Sequence, residues 1–388
     1  MSWRGMRGRA LVAVACAAAI AGCAGTTTGT GTEPSGGATP AAQPSPATAL
    51  PASWPEHELV AEGEALSLAS QVYDPATGML YALVPRTSPT ASGPHVLEAI
   101  DVRTGATRRG GTYQATGLAL ADGELWVYSS TGARPQVAEV GLGSLTTVRY
   151  DMVPSGAGPF GSAAPVVAGP AGSVWIGTSR ALLRVSVRSG AVLARVALPA
   201  GLGLSGIAAD PAGGDLYVSA AHEAGGGAFE GAVVLEYAAG TGALLATADG
   251  APISDSVAGA ELTGVPGGVW VSFRTGMLGV SVLLSSRRLA VVAAGDPASP
   301  ATSVYHWAMS SQSVYGGGTL WVATVTGLVA CVNPATGKVM AAETVTSATA
   351  RPGSLLLADP ATRELTGVVM SGTGGALVSV SPPSRCWR

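Results

Sequence analysis

One unit recurs along this chain from residue 57 onward: a strand of small residues, a tight turn with glycine, then a strand built around an aromatic. The second strands read Met79-Leu80-Tyr81-Ala82-Leu83, Glu124-Leu125-Trp126-Val127-Tyr128 and Ser173-Val174-Trp175-Ile176-Gly177. Asp215-Leu216-Tyr217-Val218-Ser219, Gly268-Val269-Trp270-Val271-Ser272 and Thr319-Leu320-Trp321-Val322-Ala323 continue the set. A weaker seventh copy, Glu364-Leu365-Thr366-Gly367-Val368, carries threonine at the aromatic position. The marker positions lie 42 to 53 residues apart, and each follows a turn such as Asp74-Pro75-Ala76-Thr77-Gly78 or Asp210-Pro211-Ala212-Gly213-Gly214. Most units then show a second hairpin signal: Asp101 to Gly105, Val187 to Gly190, Ala239 to Gly242 and Asn333 to Gly337. Glycine at the end of each supplies the positive φ of a tight hairpin.

Two hairpins make four antiparallel strands per unit. Four strands at a period of about 40–50 residues is the signature of a β-propeller blade. The expected fold is therefore all-β, a seven-bladed β-propeller of four-stranded antiparallel blades over residues 57–388. A recurrent aromatic among Val, Leu and Ile is read as packing between blades, not as a ligand box. In the last unit a third strand, Ala376 to Val380, runs into Pro382-Pro383, and proline cannot donate to a ladder. The unassigned segment His57 to Ala61 is expected to supply the missing outer strand, so that an N-terminal strand closes the last blade.

Several of these units resemble a known family. Asp-Pro-Ala-Thr-Gly-Met-Leu-Tyr-Ala at 74–82, Asp-Pro-Ala-Gly-Gly-Asp-Leu-Tyr-Val at 210–218 and Val-Asn-Pro-Ala-Thr-Gly-Lys-Val at 332–339 are similar to YVTN and quinoprotein-like propeller repeats. Quinoprotein dehydrogenases carry a docking repeat whose middle matches Asp101 to Gly105 and Asn333 to Gly337, but its tryptophan follows neither. No cofactor is expected.

The first residues read as an address. Arg4, Arg7 and Arg9 precede an apolar run from Leu11 to Ile20, too short to span a bilayer and of signal-peptide length. The run ends in Ile20-Ala21-Gly22-Cys23, which resembles a bacterial lipobox. That resemblance implies a signal peptide at 1–22, lipidation (palmitate) of Cys23, and an extracytoplasmic location at the cell membrane. Residues 23–56 are rich in Gly, Thr, Pro and Ser, an expected disordered tether with a span of roughly 30 Å. Removing 1–22 takes away three arginines and no acid, so the net charge falls from −3 to −6. A body of that sign does not adhere to anionic lipid or to nucleic acid, which leaves anchoring to the acyl chains. Charged residues are only 12% of the chain, which also excludes a coiled coil and a charge-rich disordered protein. Of four cysteines, Cys16 leaves with the signal and Cys23 is lipidated. Cys331 and Cys386 remain, an even pair in an oxidising compartment, and a disulfide between them is expected.

No catalytic or metal-binding motif stands out: Walker A, His-Glu-x-x-His, Gly-x-Ser-x-Gly and EF-hand patterns are all absent. Blade geometry still narrows the search. First-to-second and third-to-fourth turns fall on one face of the ring; second-to-third turns and blade-to-blade links fall on the other. The long segments, 86–95, 151–164, 220–231, 250–259 and 295–306, are all of the second kind. His95, His222, Glu223, Phe229, Tyr305, His306 and Trp307 form the expected binding rim on that decorated face. The resulting expectation is a monomeric, non-catalytic binding or interaction module at the cell envelope. Its partner would be an envelope protein, a polysaccharide or a small ligand. The alternative is a metal-dependent enzyme resembling the streptogramin lyase propellers, with His222, Glu223 and His306 as candidates. A redox propeller with quinone or haem comes third.

Overall fold

The computed structural model describes residues 56–387 apart from 65–69, 86–93, 115–116, 130–135, 153–165, 225–227, 251–258, 276–277, 295–311, 324–327, 345–350 and 372–373. Twenty-eight strands form seven four-stranded antiparallel sheets. Six blades are continuous in sequence, at 70–113, 117–152, 166–197, 202–248, 261–294 and 312–344. The seventh takes three strands from 351–380, and its fourth and outermost is the N-terminal strand Glu56–Glu64. That strand pairs with Gly374–Val380, with Glu56 opposite Val380 and Glu64 opposite Gly374. First strands of successive blades touch one another, so they surround the axis while fourth strands face outward. The molecule is a seven-bladed β-propeller closed by its own N terminus.

The second strands fall where the aromatic markers put them. Each begins at the residue named above: Met79, Glu124, Ser173, Asp215, Gly268, Thr319 or Glu364. The core is a ring of slabs, one per pair of neighbouring blades, and each of the first six slabs holds one marker. Tyr81 packs between blades one and two, Trp126 between two and three, and Trp175 between three and four. Tyr217, Trp270 and Trp321 fill the next three slabs. All four tryptophans named are fully buried. The slab between blades seven and one has no second-strand aromatic; Leu80, Ala82, Ile100 and Val102 meet Leu357 and Leu377 there.

The tight turns obey their side-chain chemistry. Asp74 Oδ1 accepts from Ala76 N at 3.0 Å, Asn333 Oδ1 from Ala335 N at 3.0 Å and Asp359 Oδ1 from Ala361 N at 2.9 Å. Each is a side chain imitating a backbone turn. Gly78 then takes φ +72° and Gly337 φ +68°, which the hairpin geometry requires.

Past its last strand the chain crosses to blade six. Cys386 lies in a short 3-10 turn, Ser384–Cys386, and is bridged to Cys331 in the third strand of blade six, with Cα atoms 5.8 Å apart. Trp387 packs against Trp321 with ring centroids 4.7 Å apart and planes tilted by 48°, and it lies against Gly317. Thr319 Oγ1 donates to the Cys386 carbonyl.

Candidate binding face

The two faces of the ring differ in what their polar groups are doing. On the plain face the first-to-second and third-to-fourth turns of one blade are tied together. Val102 N donates to Gly78 O at 3.1 Å in blade one, Val187 N to Gly172 O at 2.9 Å in blade three, and Ala239 N to Gly214 O at 3.0 Å in blade four. Arginines then staple three successive seams on this side, from blade one through to blade four. Arg108 Nη1 donates to Gly143 O at 2.8 Å, Arg149 Nη2 to Val187 O at 2.8 Å, and Arg184 Nη1 to Gly240 O at 2.6 Å. A buried acid pair completes the pattern. Arg287 Nη2 meets Asp215 Oδ1 at 3.2 Å, and Arg287 N donates to Glu236 Oε2 at 2.6 Å. Glu236 is wholly buried, and desolvation pushes its carboxyl pKa up, with Asp215 adding to the rise. The carboxylates and guanidinium groups named on this face are engaged in holding it together.

On the opposite face, blade-to-blade links meet second-to-third turns. Leu198 N donates to Arg180 O at 2.9 Å, Glu223 N to Gly201 O at 2.9 Å and Gly259 N to Gly231 O at 3.0 Å. The segment 220–231, expected as a long loop, is instead a projecting hairpin. Its strands run Asp215–Ala224 and Ala228–Ala238, pairing His222 with Glu230 and Glu223 with Phe229. The first strand of blade four is long as well and reaches His222 through Leu202, so the extension is held on both sides. A run of Ala and Gly had masked a ladder with no β-branched residue to announce it.

The hairpin carries three of the rim residues. His222 Nε2 lies 3.2 Å from Asp249 Oδ1, both about half-exposed. Glu223 Oε1 takes an ion pair from Arg180 of blade three at 2.5 Å. Successive strand residues point to opposite sides, and these two partners lie on different blades, so His222 and Glu223 do not converge on one ion. Such exposed pairs contribute about 0–1 kcal/mol each. Phe229 is half-buried and its ring lies on Gly203, where any Cβ would collide with it. Among the described residues no group of three or more His, Cys, Asp and Glu is placed to hold a metal ion.

His95 is placed differently from His222. It opens the third strand of blade one, on the expected face, but is only 2% exposed. Among the described residues neither ring nitrogen has a hydrogen-bond partner, and desolvation lowers the imidazole pKa below 6.5. It is a neutral interior group, because the following residues of its strand alternate into the slab between blades one and two. Tyr305, His306 and Trp307 lie outside the described residues.

No family model matches this chain, and no curated protein does. Among solved structures the crystal structure of BamB from Moraxella catarrhalis is similar to it. The TM-score is 0.52 with 16% identity, over 81% of this chain and 85% of that one. The shared feature is the propeller fold. In all, 1357 solved chains match, so the architecture is too widely used to carry a function with it.

Proposed function

We propose that this protein is a lipid-anchored, extracytoplasmic propeller of the lipoprotein class. It acts as a binding or interaction module through the face built from second-to-third turns and blade-to-blade links. In this reading residues 1–22 are a signal peptide, Cys23 carries the lipid, 23–56 tether the ring, and the repeats are YVTN-like. Support for the location comes from the lipobox-like Ile20-Ala21-Gly22-Cys23 and from the Cys331–Cys386 bridge, which belongs in an oxidising compartment. The choice of face rests on one observation. The plain side ends in tight turns tied within and between blades, whereas the other side projects a hairpin on which Glu230 is exposed and His222 and Glu223, though paired with Asp249 and Arg180, remain open to solvent.

Two measurements test this. Cys23→Ala should leave the membrane fraction or remain unprocessed; a processed variant that stays with the membrane overturns the anchor. A photo-crosslinking residue at Glu230 should form adducts with envelope components, while one at Arg363 on the plain face should not. Adducts from Arg363 alone would overturn the choice of face.

A further inference from the structure

The large hydrophobic side chains that stand exposed among the described residues all lie in one band. They are Val148, Val192, Leu193, Leu244, Val291 and Val292, between 41% and 64% exposed. Each is the first or second residue of a fourth strand, in blades two, three, four and five in succession. Fourth strands leave the plain face from the third-to-fourth turns, so the band follows the outer edge of that face, within two residues or about 7 Å of it. Its cause is a repeated β-bulge. Val140 faces Thr147 and Glu139 faces Arg149, which leaves Val148 over. The same shift leaves over Leu193 in blade three, Leu245 in blade four and Val292 in blade five. A bulge re-aims side chains and blunts a free sheet edge against pairing. Blunting needs the bulge and is served better by a charge than by leucine or valine, so the aliphatic choice points to a second use.

The band is edged with cations. The third-to-fourth turns of blades two to six, 141–146, 187–191, 239–243, 286–290 and 333–338, contain no Asp or Glu. Arg188, Arg288 and Lys338 stand exposed in them, and Arg195 on the fourth strand of blade three. Among the described residues none of these four is in an ion pair. The first-to-second turns of blades two to five expose one aspartate, Asp122, nearer the axis. Segments left undescribed between the strands are all blade-to-blade links or second-to-third turns, hence on the opposite face. The chain also enters the ring on this side: Glu56, first residue of the closing strand, lies opposite Val380, the last residue of a third strand. We propose that the band is a membrane-contact surface, resting on anionic lipid headgroups. Its aliphatic side chains would enter the headgroup boundary while its cations meet phosphate. A net charge of −6 on the whole body does not oppose this, because charges more than about 8–10 Å away are screened and the headgroups meet only the local turns. The contact can be weak, since a lipid at Cys23 already holds the ring beside the surface at high effective concentration. The decorated face then points away from the membrane and presents its hairpin. Blade seven, with Arg363, lies across the ring from blades three and four and off the contact.

The inference rests on the lipid-anchor reading above and deepens it by giving the ring an orientation. Its test uses the full-length protein with a photo-crosslinking residue at Leu193, Val292, Glu230 or Arg363. Each is mixed with vesicles of phosphatidylcholine alone, or of phosphatidylcholine with an equal part of phosphatidylglycerol. Lipid adducts should form from Leu193 and Val292 on the anionic vesicles, fall at high salt, and be missing from Glu230 and Arg363. Combining Arg188→Gln, Arg288→Gln and Lys338→Gln should deplete the Leu193 adducts and leave the melting temperature unchanged. Band adducts no more frequent than those from Glu230 overturn the proposal. So do adducts indifferent to both salt and the charge variant, and so do adducts formed in intact cells with protein, a second copy included, in place of lipid. Flotation with the neutral vesicles reports the acyl anchor by itself. Flotation there without band adducts on anionic vesicles sinks the contact alone. Flotation and band adducts on anionic vesicles only would sink the anchor alone, and flotation with neither kind of vesicle overturns both.

Discussion

At the scale of single residues, the sharpest consequence lies at Glu236, on the side away from the proposed partner. Its side chain is wholly buried beside Asp215, Tyr217 and Arg287, and burial raises its pKa above 4.5. A carboxyl raised in the folded state adds stability that is complete below its ordinary pKa and is lost as pH rises through the folded value. Glu236→Gln keeps an oxygen for Arg287 N and removes the titration. The variant should therefore gain on the wild type as pH rises from 4 to 8, read as the shift in urea midpoint at each pH. A gain independent of pH would show that the ionised form is not what costs. Nothing in the sequence marked Glu236, since its weight comes from a turn of the next blade folding over it. The rim residues were legible only as positions. Sequence placed His222 on the side of the second-to-third turns, but could not show that Asp249 would meet it, and it could not tell exposed His222 from buried His95.

At the scale of elements, the second strands and the turns before them were readable because period and turn chemistry agreed. Two third-to-fourth turns were not. In blade two the residue in the left-handed conformation is Leu145 (φ +54°), and in blade five Arg287 (φ +67°) and Leu289 (φ +48°) both adopt it, where other blades use glycine. Both leucines are buried, and burying one contributes about 1.5–3 kcal/mol against roughly 1–2 kcal/mol for the conformation. Packing thus replaces the glycine signal. The inter-blade arginines were likewise invisible, having no motif and a partner far along the chain. Arg184 donates to Gly240 O at 2.6 Å, Pro170 O at 2.9 Å and Ser173 Oγ at 2.8 Å, beside the Trp175 bond to Ala239 O. Arg184→Met keeps the aliphatic stem and strips these bonds. It should lower unfolding free energy by about 1–3 kcal/mol in chemical denaturation. An unchanged value would mean that the Arg184 bonds add nothing to what already joins blades three and four.

For the whole molecule, closure is shared between the two ends of the chain. The N-terminal strand completes blade seven, at the one slab without a second-strand aromatic, while the tail is bolted to blade six. The Cys331–Cys386 bridge closes a loop over a separation of 55 residues. Replacing both cysteines with alanine should cost about 2–4 kcal/mol in guanidinium unfolding, and reducing the wild type should have the same effect. No loss in either experiment would assign the hold on the tail to Trp387 against Trp321. The closing strand also fixes an order of events during synthesis. Glu56–Glu64 is made before every blade and finds its partner, Gly374–Val380, only after all the others exist. Until then it is a bare ribbon with both edges open, a template for pairing with another nascent chain. Its sequence, Glu56-His57-Glu58-Leu59-Val60-Ala61-Glu62-Gly63-Glu64, places four negative charges in nine residues of a chain that is otherwise sparing with them. Two such ribbons repel, so the acids act as gatekeepers for a strand that has to wait.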